Sequence, residues 1–210
     1  MNRVMSELSG DVEKAKNAAF MLLTSPGVPF LYYGEEIGME GKRGSEDTDI
    51  NRRLPMQWTG GENAGFTTGT PWVPIHPSYK TNNFEALNPL PDSLLSSYRD
   101  LIRIRNQTPA IRYGDTHLVD ADNSAIYSII RSTPTQIVLV LVNLSDQPVK
   151  DYTLTLDEGP LNGNYDLKPI YGSDSLASIT ANSQGGFESY QPLSPLPANS
   201  RYIYILQPQQ

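Results

Sequence analysis

Six residues, Val28-Pro29-Phe30-Leu31-Tyr32-Tyr33, carry almost no polarity, and breakers close them off on both sides. Ser25-Pro26-Gly27 precedes them; Gly34 and two carboxylates, Glu35 and Glu36, come after. A short apolar run between turn residues suits a strand covered on both faces, the kind found in parallel sheets flanked by helices. The flanks agree. Residues 11–24 predict a helix with Asp11 as N-cap and Val12, Ala15, Ala19, Leu22 and Leu23 near helical spacing. Residues 93–106 predict a second helix capped by Asp92, with Leu94, Leu95, Tyr98, Leu101, Ile102 and Arg105 on one face. Helix, covered strand, long insertion and helix make one and a half turns of an α/β barrel.

Three ordered motifs sharpen this. Gly27-x-Pro29-x-x-Tyr32-Tyr33-Gly34-x-Glu36 resembles the eighth barrel strand of the α-amylase family of glycoside hydrolases. Arg53-x-Pro55-Met56-Gln57-Trp58, followed by Asn63-Ala64-Gly65-Phe66-Thr67-Thr68-Gly69-x-Pro71-Trp72, resembles the next loop in α-glucosidases, oligo-1,6-glucosidases and trehalose synthases. Ser93-Leu94-Leu95-x-x-Tyr98-Arg99-x-Leu101-Ile102-x-Ile104-Arg105 with Pro109-Ala110 resembles the last barrel helix of the same enzymes. The fold expected is α+β: the final helix-strand-loop-helix portion of a TIM (β/α)8 barrel over 1–114, then an antiparallel β-sandwich over 115–210.

The resemblance also implies that part of the family's machinery is missing. Family members end their seventh strand in an Asn-His-Asp-x-x-Arg pattern whose Asp helps to stabilise the transition state. Here Asn2-Arg3-Val4-Met5-Ser6 looks like the continuation beyond that His-Asp pair, with Arg3 in the place of the motif's Arg. The nucleophilic Asp and the acid Glu belong to earlier strands, so Met1 reads as a start imposed on a longer sequence. Retaining hydrolysis needs two carboxyl groups about 5–5.5 Å apart. Glu35 and Glu36 would point to opposite faces of a continued strand. Glu46, Asp47 and Asp49 fall in a polar, Gly-containing stretch that reads as an exposed loop. No catalytic residue is assigned.

Substrate-binding candidates sit in the insertion, residues 34–91, which would lie at the barrel mouth where such enzymes keep their sites. They are Arg53, Glu36 and Arg52. An Arg fork can hydrogen-bond sugar hydroxyls or fix a carboxylate at two points, and the resemblance implies that Arg53 faces the leaving-group sugar. The plainer reading of either Arg is a pair that holds the loop; that of Glu36 is a structural carboxylate. Trp58 and Trp72 admit stacking on a sugar or burial under the loop. Thr59 stands where family members often carry Asp after Pro-Met-Gln-Trp.

Beyond Gly114, period-two segments take over. Residues 126–131, 137–142, 152–156 and 202–205 read as strands, with 137–142 the central one, and 182–197 as a long loop. Tyr202 and Tyr204 admit a sugar platform or, more plainly, packing against the barrel. Asn106 and Asn143 match glycosylation triplets that arise often by chance. Acidic residues outnumber basic ones, 23 to 16, which argues against nucleic-acid and anionic membrane partners. With no Cys there are neither disulfides nor thiolate metal sites; His76 and His117 alone make no metal site, and no cofactor is expected. No apolar run approaches the ~20 residues that span a bilayer, so a soluble, cytoplasmic protein is expected.

Two functional classes emerge. One is the C-terminal part of an enzyme acting on α-glucosidic bonds, inactive by itself. The other is a non-catalytic module whose sandwich binds glucan or a partner. Either way, an exposed barrel strand would invite homodimerisation or swapping through residues 28–33, or fold back on the neighbouring helices.

Overall fold

The computed structural model describes residues 2–44 and 49–209, so Glu46 and Asp47 lie outside the described residues. The chain forms two compact units, one of Met1–Phe20 with Pro29–Ile102 and one of Met21–Val28 with Arg103–Gln210.

In the first unit a single turn, α1 (Val4–Glu7), leads into α2 (Val12–Thr24), whose last residues count with the second unit. Asp11 caps α2: its Oδ1 accepts from the Lys14 amide at 3.0 Å. Ala15, Ala19 and Leu23, spaced four apart, are buried with Phe20, while Val12 and Leu22 lie exposed. Past a 3-10 turn at Glu35–Ile37, a short α3 (Phe84–Leu87) precedes α4 (Leu94–Gln107). The cap of α4 is Ser93 rather than Asp92, its Oγ accepting from the Ser96 amide at 3.1 Å. The buried face of α4 swings from Leu95 at its start to Ile104 near its end, which leaves Ile102 outside.

The expected strand at 28–33 does not form. Val28 is 79% and Phe30 87% exposed. A buried strand needs a ladder partner for each backbone N–H and C=O; none of the described strands pairs with this run, and Pro29 has no N–H to give. The run ends where Gly34 turns at φ 82°, a position where a Cβ would collide with the Met39 side chain. Ile37, Met39 and Leu95 then form a small core with Leu54, Met56, Phe84 and Leu87. That core ties the insertion to α4.

Past the ends of α2 and α4, the second unit has α5 (Pro109–Tyr113) and, among the described residues, eight strands: β1 (Asp115–Ala121), β2 (Ile126–Thr133), β3 (Gln136–Asn143), β4 (Leu154–Glu158), β5 (Asn164–Tyr171), β6 (Ile179–Thr180), β7 (Gly185–Tyr190) and β8 (Arg201–Pro208). All pair antiparallel in the order β6-β5-β8-β3-β2-β1-β4-β7. β3 is interior, as its unbroken apolar run predicts, with Val138 to Val142 fully buried. The end strands β6 and β7 touch, so the sheet curls around a core that includes Ile130, Leu139, Leu141, Phe187, Tyr202 and Tyr204. Alternate residues Ile129, Val138, Val140 and Ile203 face outward, where α5 covers β2 and β3.

Three expectations need correction here. Tyr202 and Tyr204 are neither a platform nor an external packing face. Both lie inside the sheet's own core, with hydroxyls on the Asp174 carboxylate and carbonyl respectively. The segment 182–197 is not one long loop, because β7 pairs with β4 inside it. Asn143 is no glycan acceptor: it is fully buried, and its Nδ2 donates to the carbonyls of Gln147, Leu196 and Pro197.

Two buried guanidiniums finish this unit. Arg105 donates to the carbonyls of Leu23, Ser25 and Gly27, and Arg131 to those of Thr24, Gly114 and Asp115. Several of these are the carbonyls that the end of α2 leaves unsatisfied, where the helix dipole also favours a cation. Burial pushes both guanidinium pKa values down, with Arg112 adding to the effect on Arg105 and Arg105 to that on Arg131.

Candidate functional site

The sequence places Asp49 three and four residues before the two candidate arginines, and the backbone turns to use that spacing. The amides of Arg52 and Arg53 donate to the Asp49 carbonyl at 2.9 and 3.0 Å. Its carboxylate then takes both guanidiniums: Arg52 on Oδ1 and Arg53, at 2.8 Å, on Oδ2. Arg52 is largely covered, whereas the Arg53 side chain is 63% exposed. Arg53 makes that single side-chain hydrogen bond among the described residues.

Arg3 locks this turn to the one that ends the apolar run. It is buried, donates Nε to the Arg52 carbonyl at 2.9 Å and Nη1 to the Tyr33 carbonyl at 2.7 Å, and stands 3.6 Å from Glu35. The guanidinium also lies 4.6 and 4.8 Å from the ring centres of Tyr32 and Tyr33, within cation–π range. Sequence reasoning placed Arg3 by its motif but gave it no role, since nothing local signals a contact across the insertion.

Glu35 and Glu36 part company on the 3-10 turn. Burial raises the Glu35 carboxyl pKa against the opposing pull of Arg3. Glu36 is half-buried; both carboxylates, after burial itself, raise the pKa of the Tyr98 hydroxyl. The Tyr33 hydroxyl donates to the Leu54 carbonyl at 2.7 Å.

Arg53 opens onto a cleft of about 350 Å³ whose walls include Tyr32, Tyr33, Met56, Phe66 and Trp72. Arg52 and Glu36 are not among its lining residues, so the structure does not gather the three candidates around one cavity. Trp72 is 58% and Trp58 46% exposed, so neither is buried under the loop. Trp58 faces elsewhere, edge-on to Phe84 at 6.0 Å. Phe66 follows directly on a tight turn in which Asn63, Ala64 and Gly65 all take positive φ. Asn63 Nδ2 also bonds the Thr67 and Gly69 carbonyls at 3.2 and 3.0 Å. His76 caps the turn Pro77–Lys80 through Ser78. Among the described residues no cluster of three His, Asp or Glu forms a metal site, and no helix is long and apolar enough to cross a membrane. The cleft offers hydrogen-bond donors and aromatic faces, and its lining residues include no nucleophile–base pair.

Comparison with known proteins matches residues 1–114 to the family described as alpha amylase, catalytic domain. An oligo-1,6-glucosidase of Parageobacillus thermoglucosidasius is 33% identical over 193 residues, covering 74% of this chain and 34% of that protein. A trehalose-6-phosphate hydrolase of Bacillus subtilis (strain 168) is 30% identical over 177 residues, covering 67% of this chain and 32% of its own. Among solved structures, the trehalulose synthase MutB of Pseudomonas mesoacidophila MX-45 superposes with a TM-score of 0.71 at 28% identity, over 98% of this chain and 41% of its own. An isomaltulose synthase mutant of Erwinia rhapontici NX5, in complex with D-glucose, gives 0.69 at 27%, over 99% and 41%. The chain thus spans about a third of the length of the curated relatives it matches.

Proposed function

This chain belongs to the α-amylase family, and from that premise we propose that it serves an enzyme that cleaves or transfers α-glucosidic bonds. In this reading residues 1–114 are the end of a (β/α)8 catalytic barrel and 115–210 the β-sandwich domain beyond it. The chemistry is that of the retaining glycoside hydrolases, in which one carboxyl forms a glycosyl intermediate and a second moves the proton. In this reading those carboxyls lie on the part of the relatives' length that this chain does not span. What this chain contributes is the rim of the substrate cleft.

The observation that carries the reading is Arg53. Its guanidinium is tethered to Asp49 on one side and open to an aromatic-lined cleft on the other. Such a fork donates to adjacent sugar hydroxyls in a fixed geometry. Arg52 shares Asp49 and keeps that carboxylate in place for Arg53. Glu36 stands on the neighbouring 3-10 turn, outside the lining of this cleft, and in this reading supports the turn rather than the sugar. The competing module reading loses its platform, because Tyr202 and Tyr204 are core residues.

The test is turnover. The purified chain should leave maltose, isomaltose and p-nitrophenyl α-glucoside untouched, while a protein of the relatives' length carrying this sequence hydrolyses or rearranges one of them. Turnover by the chain alone, with host glucosidase excluded, refutes the assignment of the catalytic carboxyls.

A further inference from the structure

We propose that Trp72 is a stacking platform for a glucosyl unit held beside Arg53, with Phe66 as its partner across the cleft. This rests on the α-glucoside reading of the Arg53 loop and adds to it a specificity role for the tryptophan that ends the Asn63–Trp72 motif.

Four aromatic side chains line one cleft: Trp72 at 58% and Phe66 at 41% exposed, beside Tyr32 and Tyr33, whose rings lie 4.8 Å apart and carry the Arg3 guanidinium. Single exposed apolar residues are ordinary, but aromatics gathered in a concavity mark a binding surface. The backbone on either side of Trp72 is constrained. Pro71 fixes the backbone before it, Val73 is buried after it, and the preceding turn is bonded through Asn63. An indole has only two rotatable side-chain bonds, so it loses little freedom when a ligand settles on it. Trp58 is also exposed, at 46%, but it packs edge-on to Phe84 and does not line the cleft.

The lining chemistry selects the ligand. A pyranose has one apolar C–H face and a rim of hydroxyls. Indole and phenyl faces suit the first, and the donors that Arg53 keeps free of Asp49 suit the second. Asp49 already offsets part of the guanidinium charge, and the whole chain carries −7, so a neutral sugar fits better than a sugar phosphate.

The chain contains two tryptophans, so Trp58→Phe leaves Trp72 as the sole indole reporter. Titrating this variant with isomaltose or maltotriose should give a saturable blue shift of emission, with a dissociation constant on the order of millimolar. Saturation-transfer NMR on Trp72→Ala should show binding weakened by about tenfold or more. Circular dichroism checks that this exposed site was changed without unfolding. No saturable shift, or full saturation transfer in Trp72→Ala, overturns the platform. Tighter binding of glucose 6-phosphate than of glucose overturns the choice of a neutral ligand. If Arg53→Ala abolishes sugar binding while Trp72→Ala does not, the platform falls and the α-glucoside reading stands.

Discussion

Replacing Arg105 with Met tests whether the buried guanidinium or the apolar stem of that side chain matters more. In the native structure Nη1 donates to the Leu23 carbonyl at 2.8 Å and the Ser25 carbonyl at 3.0 Å, and Nη2 to that of Gly27. A hydrogen bond to a charged group contributes about 1.5–3 kcal/mol net, so three bonds set an upper bound of about 4.5–9 kcal/mol. Against this stands the cost of keeping a cation out of water, several kcal/mol for a buried ion, in line with the lowered pKa. Met fills much of the same space flexibly. The difference leaves a loss of about 2–4 kcal/mol, chiefly from the stranded carbonyls at the end of α2. Urea unfolding followed by circular dichroism would read it as a lower midpoint at unchanged slope. Arg112→Met, on an exposed side chain, is the control and should stay within about 0.5 kcal/mol. Should Arg105→Met prove as mild as the control, those carbonyls have other partners and the bracket is not what holds the turn.

Two further outcomes are expected. Glu35 has a pKa raised above its ordinary 4.5 by burial, so the folded state holds the proton more tightly than the unfolded one. The stability this confers is complete below the unfolded pKa and is lost as pH rises through the folded value. Glu35→Gln should therefore be at least as stable as the parent at pH 7, with its advantage vanishing near pH 4; a variant markedly less stable at pH 7 would show that the ion pair with Arg3 outweighs burial. Residues 28–33 expose apolar side chains, Val28 and Phe30 above all, and two copies should associate through them. Phe30→Asp should then lower the mass seen by light scattering at micromolar concentration, and an equal mass for parent and variant rules this surface out.

The α2 cap and the interior position of β3 were legible because each depends on neighbours within a few residues: Asp11 before an apolar stripe, and an unbroken run from Ile137 to Val142. Arg105 was likewise read correctly as a member of the buried face. The failures share a cause. Whether the apolar run after Gly27 becomes a strand depends on a ladder partner, and periodicity says nothing about partners. Tyr202 and Tyr204 alternate with Ile203 and Ile205, a pattern that shows two faces without saying which one is enclosed. At the cleft, Arg53 stood out by its motif, but the exposure of Trp72 depends on the path of the whole insertion. Arg131 looked like one more member of an alternating strand; its three carbonyl acceptors lie on Thr24, Gly114 and Asp115.

Arg3 reaches the Arg52 carbonyl across 49 positions of sequence and the Tyr33 carbonyl across 30. Anyone transplanting residues 49–72 into a related scaffold would need a guanidinium at the matching spot. Without it, the graft would carry its aromatics and its fork but lose the peg that sets their height above the floor of the pocket.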